Sequence, residues 1–223
     1  MALSKLNFNS LNLTPVAGKG IGFDSGADDL EASFSSGSMV FIKKLTASSS
    51  GTLSFVDGAS SVVLDNTYKE YVFIFNNLHP NPTGNAHVLF NFSADTGSNY
   101  NVTKTSTAFH ARHDEGNSDT ALTYDAAADL AQSTAFQQLT SEVTFPASPN
   151  NDEHYSGSLH LFNPSSTTFV KHFISTGLHY SSTYAVNDFV AGYANTTSAI
   201  DAIQFKMTSG NIDAGTITLY GIN

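Results

Sequence analysis

The sequence predicts an all-β fold: an antiparallel β-sandwich or a barrel of about eight to ten short strands, with an N-terminal arm. Three observations carry this. From Met39 onward, short runs of β-branched, aromatic and apolar residues follow one another. Turn-forming clusters separate them, among them Ser48-Ser-Ser-Gly51, Asp57-Gly58, His79-Pro-Asn-Pro-Thr-Gly84, Asp95-Thr-Gly-Ser-Asn99 and Asn163-Pro-Ser-Ser166. No internal repeat is visible, which disfavours a propeller or a solenoid.

Residues 1–36 read differently from the rest. Leu3, Leu6, Phe8, Leu11 and Leu13 are scattered among Asn and Ser, and Pro15, Gly18, Gly20, Gly22 and Gly26 then break any regular element. This segment is expected to be an attachment arm. Its apolar residues need cover, either from the chain's own sandwich or from a neighbouring subunit. Residues 37–223 are the predicted sandwich.

Within it, strands are predicted at Met39–Leu45, Gly51–Val56, Tyr68–Asn76, Ala86–Ser93, Thr107–His113, Tyr155–Phe162, Thr168–Thr176, Phe189–Ala194, Ala199–Met207 and Thr216–Tyr220. Tyr71, Phe73 and Phe75 alternate with Val72, Ile74 and Asn76, so this strand is apolar on both faces and should be central. Val88, Phe90 and Phe92 share one face, as do Leu159 and Leu161, and Ile203, Phe205 and Met207. Ile217 and Leu219 should complete the core. The Gly210-Asn211 and Asp213-Ala-Gly215 turn chemistry between the last two runs reads as a hairpin. Asp125–Leu139 is rich in Ala with Asp125 as a cap, and stands evenly between a short helix and an extended loop.

The composition bounds the chemistry. The chain has 223 residues, a formal charge of −10 and no Cys or Trp, but 17 Phe and 9 Tyr. Disulfides and thiolate metal sites are excluded. No basic stripe exists, so no nucleic-acid partner is expected. The acidic balance suits solubility, and mutual repulsion among many displayed copies. The start, Met1–Phe8, has no continuous apolar stretch or cleavage site, and no run approaches a membrane span, so neither a secretion signal nor membrane insertion is expected.

His110-Ala-Arg-His-Asp-Glu115 is the densest cluster of ligating residues. On a strand, His110 and His113 point to opposite faces and cannot share an ion; a polar strand end entering a loop is the simpler reading. Gly18–Gly22 lacks the full spacing of a phosphate loop, and Asp24–Asp29 lacks the ligand order of a calcium loop. Nucleophile motifs are missing, and carboxylates such as Glu115, Glu142 and Asp152 sit in polar loops. No enzyme activity, cofactor or metal is expected. Exposed aromatic and imidazole groups at Tyr100, His113, Tyr180 and Tyr184 are the candidate ligand-facing loop residues.

Four stretches together resemble a known family. They are Thr67–Pro80 (TYKEYVFIFNNLHP), Asp129–Thr140 (DLAQSTAFQQLT), Ser156–Ile174 (SGSLHLFNPSSTTFVKHFI) and Val190–Ile222, which ends in SGNIDAGTITLYGI. The chain is similar over roughly residues 67–223 to virion structural proteins of marine and cyanobacterial phages. The resemblance implies a jelly-roll-like protein on the particle surface, either a tail-fibre or tip adhesin or a capsid decoration or head fibre. Its implied partners are capsid or tail proteins, further copies of itself (a homotrimer, by analogy with protruding phage proteins) and a host surface glycan or receptor. Leu3, Leu6, Phe8, Leu11 and Leu13 would make the attachment. No catalytic residues come with the family. A carbohydrate-binding module is the alternative.

Overall fold

In the computed structural model, residues 20–23, 30–34, 37–81, 85–141, 144–146 and 151–223 are described. Leu3, Leu6, Phe8, Leu11 and Leu13 lie outside them. The chain divides into two compact units, Met1–Val40 with Asn223, and Phe41–Ile222. The first contains an antiparallel pair, β1 (Gly20–Phe23) and β2 (Leu30–Phe34). The expectation that this glycine-rich stretch forms no regular element is therefore corrected: glycine weakens a strand but does not forbid one.

The second unit is an antiparallel β-sandwich, with no helix among the described residues. Its strands begin with β3 (Met39–Thr46), β4 (Leu53–Val56), β5 (Glu70–Asn81), β6 (Val88–Ser93), β7 (Lys104–Asp114) and β8 (Thr120–Tyr124). They continue with β9 (Gln137–Gln138), β10 (Tyr155–Phe162), β11 (Lys171–Ser181), β12 (Tyr184–Ala194), β13 (Ala202–Met207) and β14 (Asn211–Ile222). One sheet has eight strands in the order β3-β14-β5-β10-β11-β12-β7-β8; the other has four, β4-β13-β6-β9.

The pairing is that of a jelly roll. Take the eight strands β3, β4, β5, β6, β9, β10, β13 and β14. The first pairs with the last, the second with the seventh, the third with the sixth, and the fourth with the fifth. That is a long hairpin rolled into two layers. Two hairpins, β7–β8 and β11–β12, are inserted in it. Both continue the larger sheet beyond β10, forming a four-stranded extension.

The core lies between the layers. Phe205 of β13 is its centre, with ring centroids 5.5 Å from Phe73, 5.3 Å from Phe75 and 6.3 Å from both Phe55 and Phe90. Ile217, Leu219, Leu159, Leu161 and Phe173 are fully buried around it. The alternation read from the sequence selects Phe73, Phe75, Phe90, Phe205, Leu159, Leu161, Ile217 and Leu219, and β5 is central as predicted, between β14 and β10.

Two readings, the closing hairpin and the turn at His79-Pro80, are corrected, and the open choice at 125–139 is decided. β13 and β14 form no hairpin; they belong to different sheets, and the Gly210 turn carries the chain between layers. Asp213-Ala-Gly215 lies inside β14 as a bulge. His79-Pro80 does not end β5, which runs on to Asn81. There β5 has left β10, whose pairing ends at Leu78, so a residue without an N–H is tolerated. The Ala-rich stretch 125–139 forms turns and the short β9, not a helix.

Candidate functional site

The extension β11-β12-β7-β8 reverses the usual polarity of a sheet. Its inner face holds Lys104, His110, Asp114, Lys171, His179 and Asp188, all buried. Its outer face exposes Phe109, Leu122, Tyr124, Ile174 and Leu178 to solvent.

Each charge on the inner face is paired, although His110 Nε2, Arg112 Nε and Asp125 Oδ1 are buried without a hydrogen bond of their own. The Lys104 ammonium donates to Asn91 Oδ1 and to the Val102 carbonyl. Burial alone pushes it down to about 7. Lys171 donates to the carbonyls of Thr196 and Ser198, and desolvation lowers it too. His110 Nδ1 donates to Asp125 Oδ2 and His179 Nδ1 to Asp188 Oδ2, each at 2.7 Å. His110 and Asp188 are direct cross-strand neighbours, so the two imidazole–carboxylate pairs sit side by side. Segment 125–141 covers this face: Asp188 Oδ1 accepts from the Ser141 amide, and Ser106 bonds Gln137. Both imidazoles are sealed from solvent, which makes the pairs structural.

The outer face is built by strand alternation. β7 presents Thr105, Thr107, Phe109, Ala111 and His113; β8 presents Thr120, Leu122 and Tyr124. β11 presents His172, Ile174, Thr176, Leu178 and Tyr180; β12 presents Ala185, Asn187, Phe189, Ala191 and Tyr193. Not one of these is Asp, Glu, Lys or Arg, in a chain with 28 such residues by the sum of 9 basic and 19 acidic. At the centre, Phe109 and Phe189 stack across β7 and β12, with centroids 4.8 Å apart and planes 7° apart. Beside them a dent of about 190 Å³ is lined by Ile174, Ala191 and Thr107. Leu122 is 76% exposed and Leu178 55%. A contiguous exposed apolar patch of this kind marks an interaction surface.

A second feature is a polar notch of about 480 Å³, lined by Asn76, Asn77, His79, Asn151, His154, Asp213 and Thr216. Bulges build it. β14 shifts register on both sides of Ala214, β10 shifts between Tyr155 and Gly157, and Asn77 adopts a positive φ of 52°. Gly215, at φ 102°, brings its backbone against Asn77; a Cβ there would stand 2.2 Å from the Asn77 carbonyl oxygen. Bulges re-aim side chains, here toward one concavity. His79 and Asp213 stand 3.9 Å apart in it.

Of the predicted loop residues, three lie on strands. His113 stands one residue before the end of β7 and is exposed, Tyr180 stands one residue before the end of β11, and Tyr184 begins β12. Their strands meet at one end of the extension, where Ala185 pairs with both His113 and Tyr180. Tyr184 bonds Asp119 while Arg112 covers its ring, with the guanidinium carbon 5.4 Å from the centroid. Tyr100 is not brought to them; its carbonyl accepts from Asn91 of β6. His110 and His113 lie on opposite faces, as strand spacing dictates. Sequence reading missed the aromatic face, because β8 and the first half of β12 were not recognised. The missed signal was the alternation in Thr120-Ala-Leu-Thr-Tyr124, which carries no charge.

No family model, curated protein or solved structure matches this chain.

Proposed function

We propose that the chain is a non-enzymatic structural protein of a bacteriophage particle, displayed on the virion surface and anchored by its N-terminal segment. It serves as a tail fibre or tip adhesin, or as a capsid decoration or head fibre. The observation that carries this is the uncharged aromatic face of the extension. A chain of charge −10 that keeps its charges off one broad apolar sheet face is suited to assembly with other proteins. The jelly-roll topology and the resemblance of residues 67–223 support the same reading. The test is electron microscopy of intact particles labelled with an antibody against residues 40–223. Label at the tail assigns host recognition, and label over the head assigns decoration; unlabelled particles overturn the proposal.

A second reading, carbohydrate binding, is favoured by the notch at Asn76, Asn77, Asn151 and Thr216. Amide and hydroxyl groups supply donors and acceptors together, the inventory a hydroxyl-rich ligand needs. Retention of one polysaccharide on a glycan array, lost on Asn76→Ala, supports it, and a blank array removes it.

A further inference from the structure

We infer that the outer face of the extension is a self-association surface that pairs with the same face of a second copy of this chain. The inference rests on the reading of this face as an assembly surface and names its occupant.

Charge is the first argument. Two copies each of charge −10 repel, and a contact from which formal charges are absent lets them approach without stranding an unpaired carboxylate. The face meets that condition, and its own copy is equally neutral and apolar. Aromatic geometry is the second. Phe109 and Phe189 lie face to face, 7° from parallel, so the faces between them are spent on each other. The pair is a hydrophobic ridge, whereas a sugar needs open ring faces on which to stack.

Register is the third. Across the extension, Leu122, Ala111, Asn187 and Leu178 form one row, and Tyr124, Phe109, Phe189 and Thr176 the next. The Phe pair lies at the midline, between the two inner strands. A two-fold axis running along the strands above that midline sets β7 on the partner's β12 and β8 on the partner's β11. Phe109 then meets the partner's Phe189, and Leu122 meets the partner's Leu178. This is an isologous contact, closed at two copies. It differs from the three-fold arrangement that the resemblance implies.

Area is the fourth. β7, β11 and β12 each have 11 residues and β8 has 5. At about 3.3 Å per residue and about 4.8 Å between strands, they cover about 600 Å² in projection. For two copies that is about 1,200 Å² in total, the lower end of the range of specific stable interfaces.

The experiment is sedimentation of the full chain over a range of concentration, beside Leu122→Glu and Leu178→Glu. Both side chains are more than half exposed, so the variants keep the fold, which thermal melting checks. The expected result is a dimer of the 23.7 kDa chain, with each variant associating at least about tenfold more weakly. The chain has no Cys, so a Leu122→Cys/Leu178→Cys double variant reads the register directly, by forming an intermolecular disulfide that neither single variant forms. A wild-type chain that stays monomeric overturns the inference, as does a dimer unaffected by the Glu substitutions. A monomer that still labels virions sinks the pairing and leaves the virion reading standing. A dimer with unlabelled virions does the reverse.

Discussion

Lys104 shows how a single residue sets the pH dependence of this fold. Its ammonium is fully buried, and burial holds it near 7 against an ordinary 10.5. Below about pH 7 the folded and unfolded chains both carry the proton, and the whole cost of burying the charge stands against folding. Between about 7 and 10.5 the unfolded chain binds a proton that the folded chain has released, so stability rises with pH. Tyr71 and Tyr155 oppose this at the alkaline end. Burial holds both above their ordinary 10, so above about pH 10 the unfolded chain ionises first and stability falls. Denaturant melts should therefore find the wild type more stable at pH 9 than at pH 7. Lys104→Met keeps the stem, removes the charge and leaves the Val102 carbonyl without its donor, a loss of about 1 kcal/mol. The variant should gain stability at pH 7, and its rise toward pH 9 should shrink to the share that Lys171 contributes. An unchanged rise would show that another group carries it.

At the level of elements, what was legible and what was not follows from where the signal sits. β5, β6, β10, β13 and β14 alternate strongly, because one face of each meets the core around Phe205, and the sequence shows them all. The β11–β12 hairpin turns at Ser182-Thr183, with Ser182 at φ 59° and no Gly or Asn to mark it. Residues 177–188 around that turn therefore fall outside the strands predicted at Thr168–Thr176 and Phe189–Ala194. The Asp213-Ala-Gly215 cluster is real turn chemistry, but the same residues serve a bulge as readily as a hairpin, and only pairing with Asn76–His79 decides between them. The polar notch is illegible for the same reason, since its residues come from β5, β14 and the approach to β10. Gly215 carries this element. At φ 102°, with the Asn77 carbonyl oxygen 2.2 Å from where a Cβ would stand, Gly215→Ala must undo the bulge. The expected cost exceeds about 1 kcal/mol, which lowers the melting temperature by at least about 2 °C in a domain this size. An unchanged melting temperature would mean that the bulge is not needed.

For the whole molecule, the decisive property is the division of labour between charge and apolar surface. The jelly roll buries its aromatics between the layers. The extension has little of the second sheet to pack against, and it inverts that order, with paired charges inside and Phe109, Phe189, Leu122 and Leu178 outside. No Asp, Glu, Lys or Arg stands on that face, while the rest of the molecule carries the net −10. Self-association should then depend on salt in an unusual direction. At about 0.01 M salt the screening length is roughly 30 Å, and the two molecules feel each other's negative charge across the whole contact. At about 1 M it falls to roughly 3 Å, and the repulsion is largely removed. The apolar contact itself does not weaken. An interface held by ion pairs loosens as salt is added; this one should tighten several-fold over that range. Sedimentation at the two salt concentrations measures it. Dissociation at high salt would mean that charged residues outside the aromatic face hold the copies together.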